Sequence, residues 1–488
     1  MELADQDGQF VIRTNRNMAV PAGATRHLLA SVAVDTFGTL ETLPVFDRSD
    51  QQIGLLIGTV VDTDRKVVLH DGLRLDGSLD GDGDVDAFVE TQIYRLAGTF
   101  LFVLDHGGTR RVYLDANGTK SLVYDPSSKM AGATATVLLD AREYDRRLRH
   151  DLLDALGVHR GGSLPGGLTA HRGIYRLLCN HYLDLDSWTA TRHWPKAEIA
   201  QTTDVAATCR TIVTEVKNTI EALIKEGDVH VALTAGHDTR LVLACCRDFV
   251  DQITFVTLQV PGDGIDIQLA GALSEKFNLR HRVLPFVKTD SDEAERWQKR
   301  AGHAVRGPNM DLYAAVAPLK DRIFVGGACG EIGRGCIWFG ATDTTPIDAR
   351  QMASRLKLPM HREVINAIDN WLAPIDHLGS LLKLDLAYME LSIHCWVFVQ
   401  SYTKPGHVEI NPLISRRLFT AMLSLPPEVR LKNGMILRCI ESAWPEVASV
   451  PINQYGNWRD KTVKLRHAIS DPRRAIRKAR QLVSILIG

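Results

Sequence analysis

The sequence lacks an excess of either charge. Across 488 residues, 57 Lys and Arg stand against 58 Asp and Glu, a net charge of -1. A chain that holds nucleic acid along its whole surface would be basic overall, so that class is set aside. It also lacks any apolar run of the roughly 18 residues that a membrane-spanning helix needs. Its first residues, MELADQDGQF, have neither a positive leader nor an apolar core, so no secretory signal is read. Its eight cysteines include no C-x-x-C pair, which leaves a zinc or redox motif without support. Most of them sit in apolar runs such as LVLACC and IHCWVF, and are read as small buried hydrophobes. A reducing, cytoplasmic setting is the expectation.

Hydrophobic residues make up 45% and charged residues 24%, as in an ordinary globular protein. The two halves differ in period. Residues 1–197 carry short apolar runs broken by turn signals: IGLLIGTVVDTD, KVVLHDG, GTFLFVLDHGG, RRVYLDANG, SLVYDP. His106-Gly107-Gly108 and Asn117-Gly118 read as hairpin turns, and HYLDLDSWTATRHWP as a final hairpin. This predicts an antiparallel, β-layered domain. The Asp-rich stretch 75–90 fails as a calcium loop, because Ala87 stands where a bidentate Glu is required, and is read as a solvated turn. From about residue 202 the apolar spacing becomes helical, with Thr203 or Asp204 as the cap. Strand-like VHVALT, ITFVTLQV, HRVLPF and DRIFVGG then alternate with helical segments. Such alternation predicts a doubly wound parallel sheet over 198–488, with a mostly helical carboxyl-terminal part from about 380. Ligands of such sheets bind at the carboxyl ends of the strands.

The most informative segment is VALTAGHDTRLVLA, residues 231–244. A strand ends near Leu233 and a helix begins near Asp238, with short residues between. Small side chains let backbone N–H groups approach an anion, and the helix start adds partial positive charge. Thr234 and Thr239 can donate to phosphate oxygens, and Asp238 suits Mg2+, which favours one or two carboxylates plus substrate phosphates. The segment is not a Walker A loop.

This loop, T-A-G-H-D-T at 234–239, resembles the S-G-G-x-D-S loop of the asparagine-synthetase-like branch of the N-type ATP pyrophosphatases. GDGIDIQLAGALSEKFNLRHRVLPF resembles that family's second strand–helix unit, VGGACGEIGRG its G-x-G-x-D-E segment, and INPLISRRLFTAMLSLPPEVR a late helical segment. The front half resembles the family's glutaminase-type domain, but Glu2 stands where a nucleophilic Cys follows the initiator Met, and the first Cys is Cys179. Without a thiolate, glutamine hydrolysis is not expected there. The β-lactam synthetase, carbapenam synthetase and lasso-peptide cyclase groups share that loss.

The resemblance implies an ATP-dependent ligase. It would adenylate a carboxylate, release pyrophosphate, and couple the acyl group to an amine of a small-molecule or peptide substrate. ATP and Mg2+ are the implied cofactors. Thr234, Ala235, Gly236 and Thr239 would hold the nucleotide's pyrophosphate, with Asp238 binding it through magnesium; Leu258 would lie near adenine, and Asp266, which precedes the helix of the second unit, is carried over as a further nucleotide-binding residue. Asp238 and Glu331 would hold magnesium. Lys461 or Lys464 is the late cation of the adenylation step, and His237 is a candidate to face substrate, as is Arg240. Ala235 replaces a Gly and would strain the loop by about 1 kcal/mol if its φ were positive. Gly330 replaces an Asp. A lasso-type macrocyclase acting on a precursor peptide or with a partner protein is a second reading, for which the basic tail 459–488 offers docking charge. A degenerate, non-catalytic scaffold is a third. Nucleic acid and a transmembrane segment are not expected, and a homodimer is compatible with the family.

Overall fold

The computed structural model describes residues 6–79, 84–261, 264–305, 310, 314–403 and 408–455. Among them the strands form three sheets. Two belong to the front half. The six-stranded sheet has the spatial order Tyr175–Arg176, Val123–Asp125, Met130–Gly132, Phe10–Arg13, Ala33–Phe37, Ala24–Leu28, with every pair antiparallel. The eight-stranded sheet is built on the long strands Gln52–Asp62 and Ala97–His106. Its single parallel pair joins Thr42–Phe46 to Leu73–Arg74.

Period-two patterning decides which face each residue takes. Phe10 and Ile12 meet Leu55, Ile57, Leu101 and Val103 between the two sheets. Val11, between them in sequence, turns outward onto Ala135, Leu138 and Tyr144. Leu56 likewise faces away, joining Phe100, Phe102 and Val89 of the helix Val85–Gln92. Asp84 caps that helix by accepting from the N–H groups of Asp86 and Ala87, so the Asp-rich stretch ends in a helix start. His106-Gly107-Gly108 is a tight hairpin turn, as expected, with both glycines at positive φ. Asn117-Gly118 is not. The Asp115 carboxylate there accepts from the backbone of Asn117, Thr119 and Lys120, and the chain crosses from one sheet to the other. The last hairpin pairs His181–Asp184 with Thr189–Arg192.

The third sheet is wholly parallel: His281–Leu284, Ile253–Leu258, Val229–Ala232, Ile323–Val325, Val408–Ile410 in spatial order. Helix Val205–Glu226 precedes it, and of the two candidate caps Asp204 does the capping, accepting from the N–H of Ala207. Helices His237–Cys245 and Gly264–Phe277 cross between successive strands. Val229 and Val231 alternate with half-buried or polar neighbours only weakly, because both faces of a parallel sheet are covered. The chain winds outward from Val229–Ala232 in one direction, then returns to its other side with Ile323–Val325. The sheet therefore reverses its winding at the carboxyl end of its central strand, where open α/β sheets take ligands. The fifth strand, Val408–Ile410, interrupts the region read as helical from the sequence.

Among the described residues no helix is long and apolar enough to cross a membrane.

Candidate phosphate and metal site at the sheet reversal

Two loops emerge side by side at the reversal, 233–236 after the central strand and 326–331 after its neighbour. The first leads into helix His237–Cys245, whose N-cap is Gly236. A helix start leaves its first N–H groups without carbonyl partners. Arg240 makes the first such bond here, to the Gly236 carbonyl. No residue elsewhere in the described chain accepts from the N–H groups of His237, Asp238 and Thr239.

The rest of the loop is tied internally. The Gly236 N–H donates to Thr234 Oγ1 at 3.1 Å, and Thr234 and Thr239 share a hydroxyl–hydroxyl bond of 2.7 Å. The Ala235 N–H donates to the Asp266 carboxylate at 2.8 Å. Asp266 therefore buttresses the loop from helix Gly264–Phe277. Ala235 is buried and does not adopt positive φ, so the Gly-to-Ala change carries no backbone strain. Asn453 closes the loop from above: its N–H donates to the Ala235 carbonyl at 2.9 Å, and its side-chain amide meets His237 Nδ1 at 3.2 Å. Burial, then the cations Arg334 and Arg240, hold the His237 ring below the usual histidine range and so neutral at pH 7.

Asp238 and Glu331 come together across the two loops. Burial first, and then the neighbouring Glu331 charge, push the Asp238 carboxyl up to about 7, against the pull of Arg334. Asp238 Oδ2 accepts from Arg334 Nη2 at 2.8 Å, and Glu331 Oε1 lies 3.4 Å from the same nitrogen. The other oxygens, Asp238 Oδ1 and Glu331 Oε2, are buried with no hydrogen-bond partner. Buried oxygens of this kind call for a missing donor or cation. Two carboxylates beside free helix N–H groups suit Mg2+, which completes its shell with water and phosphate oxygens. Among the described residues no group of three His, Cys, Asp or Glu forms a protein-only metal cage.

The glycine at 330 has a steric counterpart. Gly330 packs so closely on Asp238 Oδ1 that any β-carbon there would overlap it. Gly327 is close to Thr239 but less tight: a β-carbon there would lie 3.0 Å from the threonine methyl.

Other expectations fall elsewhere. Arg240 does not face a substrate. It is fully buried and donates to the carbonyls of Val447, Val450 and Pro451 at 2.8, 2.7 and 3.1 Å, fixing the segment that delivers Asn453. Leu258 ends its strand as expected but is half-buried against Val256, Leu284, Val316 and Leu319. Lys461, Lys464, Glu2 and the basic tail lie outside the described residues. Cys179 is buried, and burial pushes its thiol far above the usual range, so it is no replacement nucleophile. Arg334 and Asn453 were not singled out from the sequence. Arg334 stands three residues after Glu331 on a helical turn, a spacing that brings side chains together. Nothing local marks Asn453, which arrives through tertiary folding.

No protein-family model matches the chain, and no curated protein does. Solved structures show a likeness, among them the following three. NMN synthetase from Francisella tularensis is 12% identical, covering 41% of this chain and 92% of that one, with a TM-score of 0.18. The U34-tRNA thiolase NcsA from Methanococcus maripaludis, with its [4Fe-4S] cluster, is 11% identical over 52% and 84%, with a TM-score of 0.19. The allosteric regulatory enzyme of purine biosynthesis is 11% identical over 73% and 74%, with a TM-score of 0.22. TM-scores of this size carry no inference about activity, and the site is read from its own residues.

Proposed function

We propose that this chain is an ATP-dependent carbon–nitrogen ligase that adenylates a substrate carboxylate and couples it to an amine without hydrolysing glutamine. The observation that carries the reading is the pair of buried, unpartnered oxygens of Asp238 and Glu331 beside the free N–H groups of one helix start. In the first step a carboxylate oxygen attacks the α-phosphorus of ATP, and the bond to the β-phosphate oxygen breaks, releasing pyrophosphate. In the second an amine nitrogen attacks the acyl carbon, the bond to AMP breaks, the nitrogen gives up a proton to solvent, and an amide forms. Magnesium, held by Asp238 and Glu331, would supply charge neutralisation for the phosphates. The N–H groups of His237 and Thr239, with the two threonine hydroxyls, would bind the phosphate oxygens and take up charge that develops on the leaving group. Positioning and electrostatics of this kind supply most of the catalysis in phosphoryl chemistry. A division at residue 197/198 into a glutaminase-like and an adenylating domain goes with this reading.

Incubation with ATP, Mg2+ and a panel of carboxylic acids and amines should give AMP and pyrophosphate, seen by exchange of labelled pyrophosphate into ATP. ADP as the nucleotide product would sink the reading.

Two observations favour a second reading, a non-catalytic scaffold: Arg334 already pairs with Asp238, and the Ala235 amide is already taken. Calorimetry separates the two. Binding of ATP with Mg2+ that is lost in Asp238→Ala supports the ligase, and absence of binding in the unaltered chain supports the scaffold.

A further inference from the structure

Arg334 ends the short helical turn Gly330–Arg334, which packs directly on helix His237–Cys245. Its side chain is largely buried, and one nitrogen, Nη2, reaches both carboxylates. The rest of the guanidinium is poorly satisfied. Nη1 has a 3.3 Å contact with Asn433 Oδ1, and Nε is buried with no acceptor. Two carboxylates this close need a cation whenever no metal is bound, since like charges removed from water repel strongly. Arg334 supplies it, while leaving Asp238 Oδ1 and Glu331 Oε2 open. The unused N–H groups of the guanidinium lie at the same loop junction as the unused N–H groups of the helix start. A guanidinium fork matches phosphate oxygens in pairs, which a point cation does not.

We propose that Arg334 is this site's built-in second cation, neutralising Asp238 and Glu331 in the ligand-free protein and shifting onto the departing pyrophosphate when one magnesium ion takes the carboxylates. The inference rests on the ligase reading. Charge bookkeeping supports it. With both carboxylates ionised, as metal binding requires, they and the guanidinium sum to -1, and a single Mg2+ raises the site to +1, opposite in sign to pyrophosphate. Without Arg334 the same ion would leave the site neutral. Arg334 is thus a positioning residue for the leaving group and a competitor of the metal.

Those two roles predict changes of opposite sign, which a purely structural residue would not give. In Arg334→Gln, Mn2+ binding to the nucleotide-free protein, read from the electron-paramagnetic-resonance signal of free Mn2+, should tighten about 5- to 10-fold. Binding of ATP in excess Mg2+, read by calorimetry, should weaken about 10- to 100-fold, the size expected for losing one or two charge-assisted bonds. Arg334→Lys keeps the charge and loses the fork. It should bind Mn2+ as the unaltered chain does and still bind ATP more weakly, and it serves if the Gln variant fails to fold by thermal melting. Tighter ATP binding in Arg334→Gln would make Arg334 a plug and overturn the proposal. Unchanged ATP binding would remove it from the phosphate site, and unchanged or weaker Mn2+ binding would remove it from the metal site. An unaltered chain that binds Mn2+ but no ATP would overturn the ligase reading itself, and with it the pyrophosphate role of Arg334.

Discussion

Gly330 shows how one missing methylene sets the chemistry around it. Its α-carbon is the floor against which Asp238 Oδ1 rests, and a larger residue would expel the carboxylate. Restoring an acid there, as the family resemblance would suggest, does not rebuild a family site but removes Asp238 from this one. Gly330→Ala should cost about 1–3 kcal/mol of stability, the usual range for overpacking a tight spot. It should also lose ATP binding to the same extent as Asp238→Ala. Thermal melting and calorimetry check the two halves of this statement, and an alanine variant that binds ATP normally would show that Asp238 has another place to go. The loop residues themselves were legible in the sequence because their types are restricted by short range: small side chains, hydroxyls and one acid within six positions. Arg334 and Asn453 were not, because the partners that bring them to this loop, Asp238 for the one and Ala235 and His237 for the other, lie far along the chain. Arg240 was misread for the same reason. Its neighbours in sequence belong to the site, but its acceptors are carbonyls more than 200 positions away.

At the scale of elements, what was legible follows the strength of the local pattern. Helix Val205–Glu226 repeats its apolar positions through six turns and starts at an acid, and it was read almost to the residue. Strand Val408–Ile410 has three residues, a glutamate in the middle and Pro412 close behind, so nothing of period two can be seen in it. It exists because the parallel sheet offers an edge at Ile323–Val325 for it to pair with. The Asn117-Gly118 turn failed as a hairpin because the buried Asp115 carboxylate organises the loop instead of the dipeptide. The cap of the long helix is itself testable. Asp204→Ala removes the acceptor of the Ala207 N–H and should cost about 1 kcal/mol, since cap substitutions fall between about 0.5 and 2. Urea unfolding with an unchanged slope and a lower midpoint would register it. Thr203→Ala should leave the midpoint in place.

The whole molecule carries several buried imidazoles, and they set its response to acid. Burial holds His171 down to about 3 and His303 down to about 4, with weaker contributions from His303 and Arg147 to the first and from His159, His150 and Lys299 to the second, and neither ring nitrogen of His171 has a hydrogen-bond partner. Above pH 6.5 both rings are neutral in the folded and the unfolded chain, and this part of the stability is complete. Below it the unfolded chain takes up a proton at each ring while the folded chain does not. Stability therefore falls as pH drops from 6.5 toward 4, by about 1.4 kcal/mol per pH unit for each ring. The thermal midpoint should be clearly lower at pH 5 than at pH 7.5. Replacing His171 by Phe, which fills similar space beside Tyr144, should reduce that dependence by one ring's share, since His303, His181 and His394 keep theirs.

The front half has no thiol fit for nucleophilic attack among its described residues, yet its apolar interior is not its own. Trp297, Phe398 and Tyr402 belong to the same cluster as Phe10, Ile12 and Leu101, and buried Glu390 holds Arg192 and Asn180 across the divide. A gene fragment expressing residues 198–488 alone would bare those three aromatic rings to water and strand an anion inside the protein. Expression trials should find that fragment in inclusion bodies, and co-expression with residues 1–197 should bring it into solution. Such mutual dependence would keep the front half in the chain for its fold alone, whatever chemistry it does or does not carry.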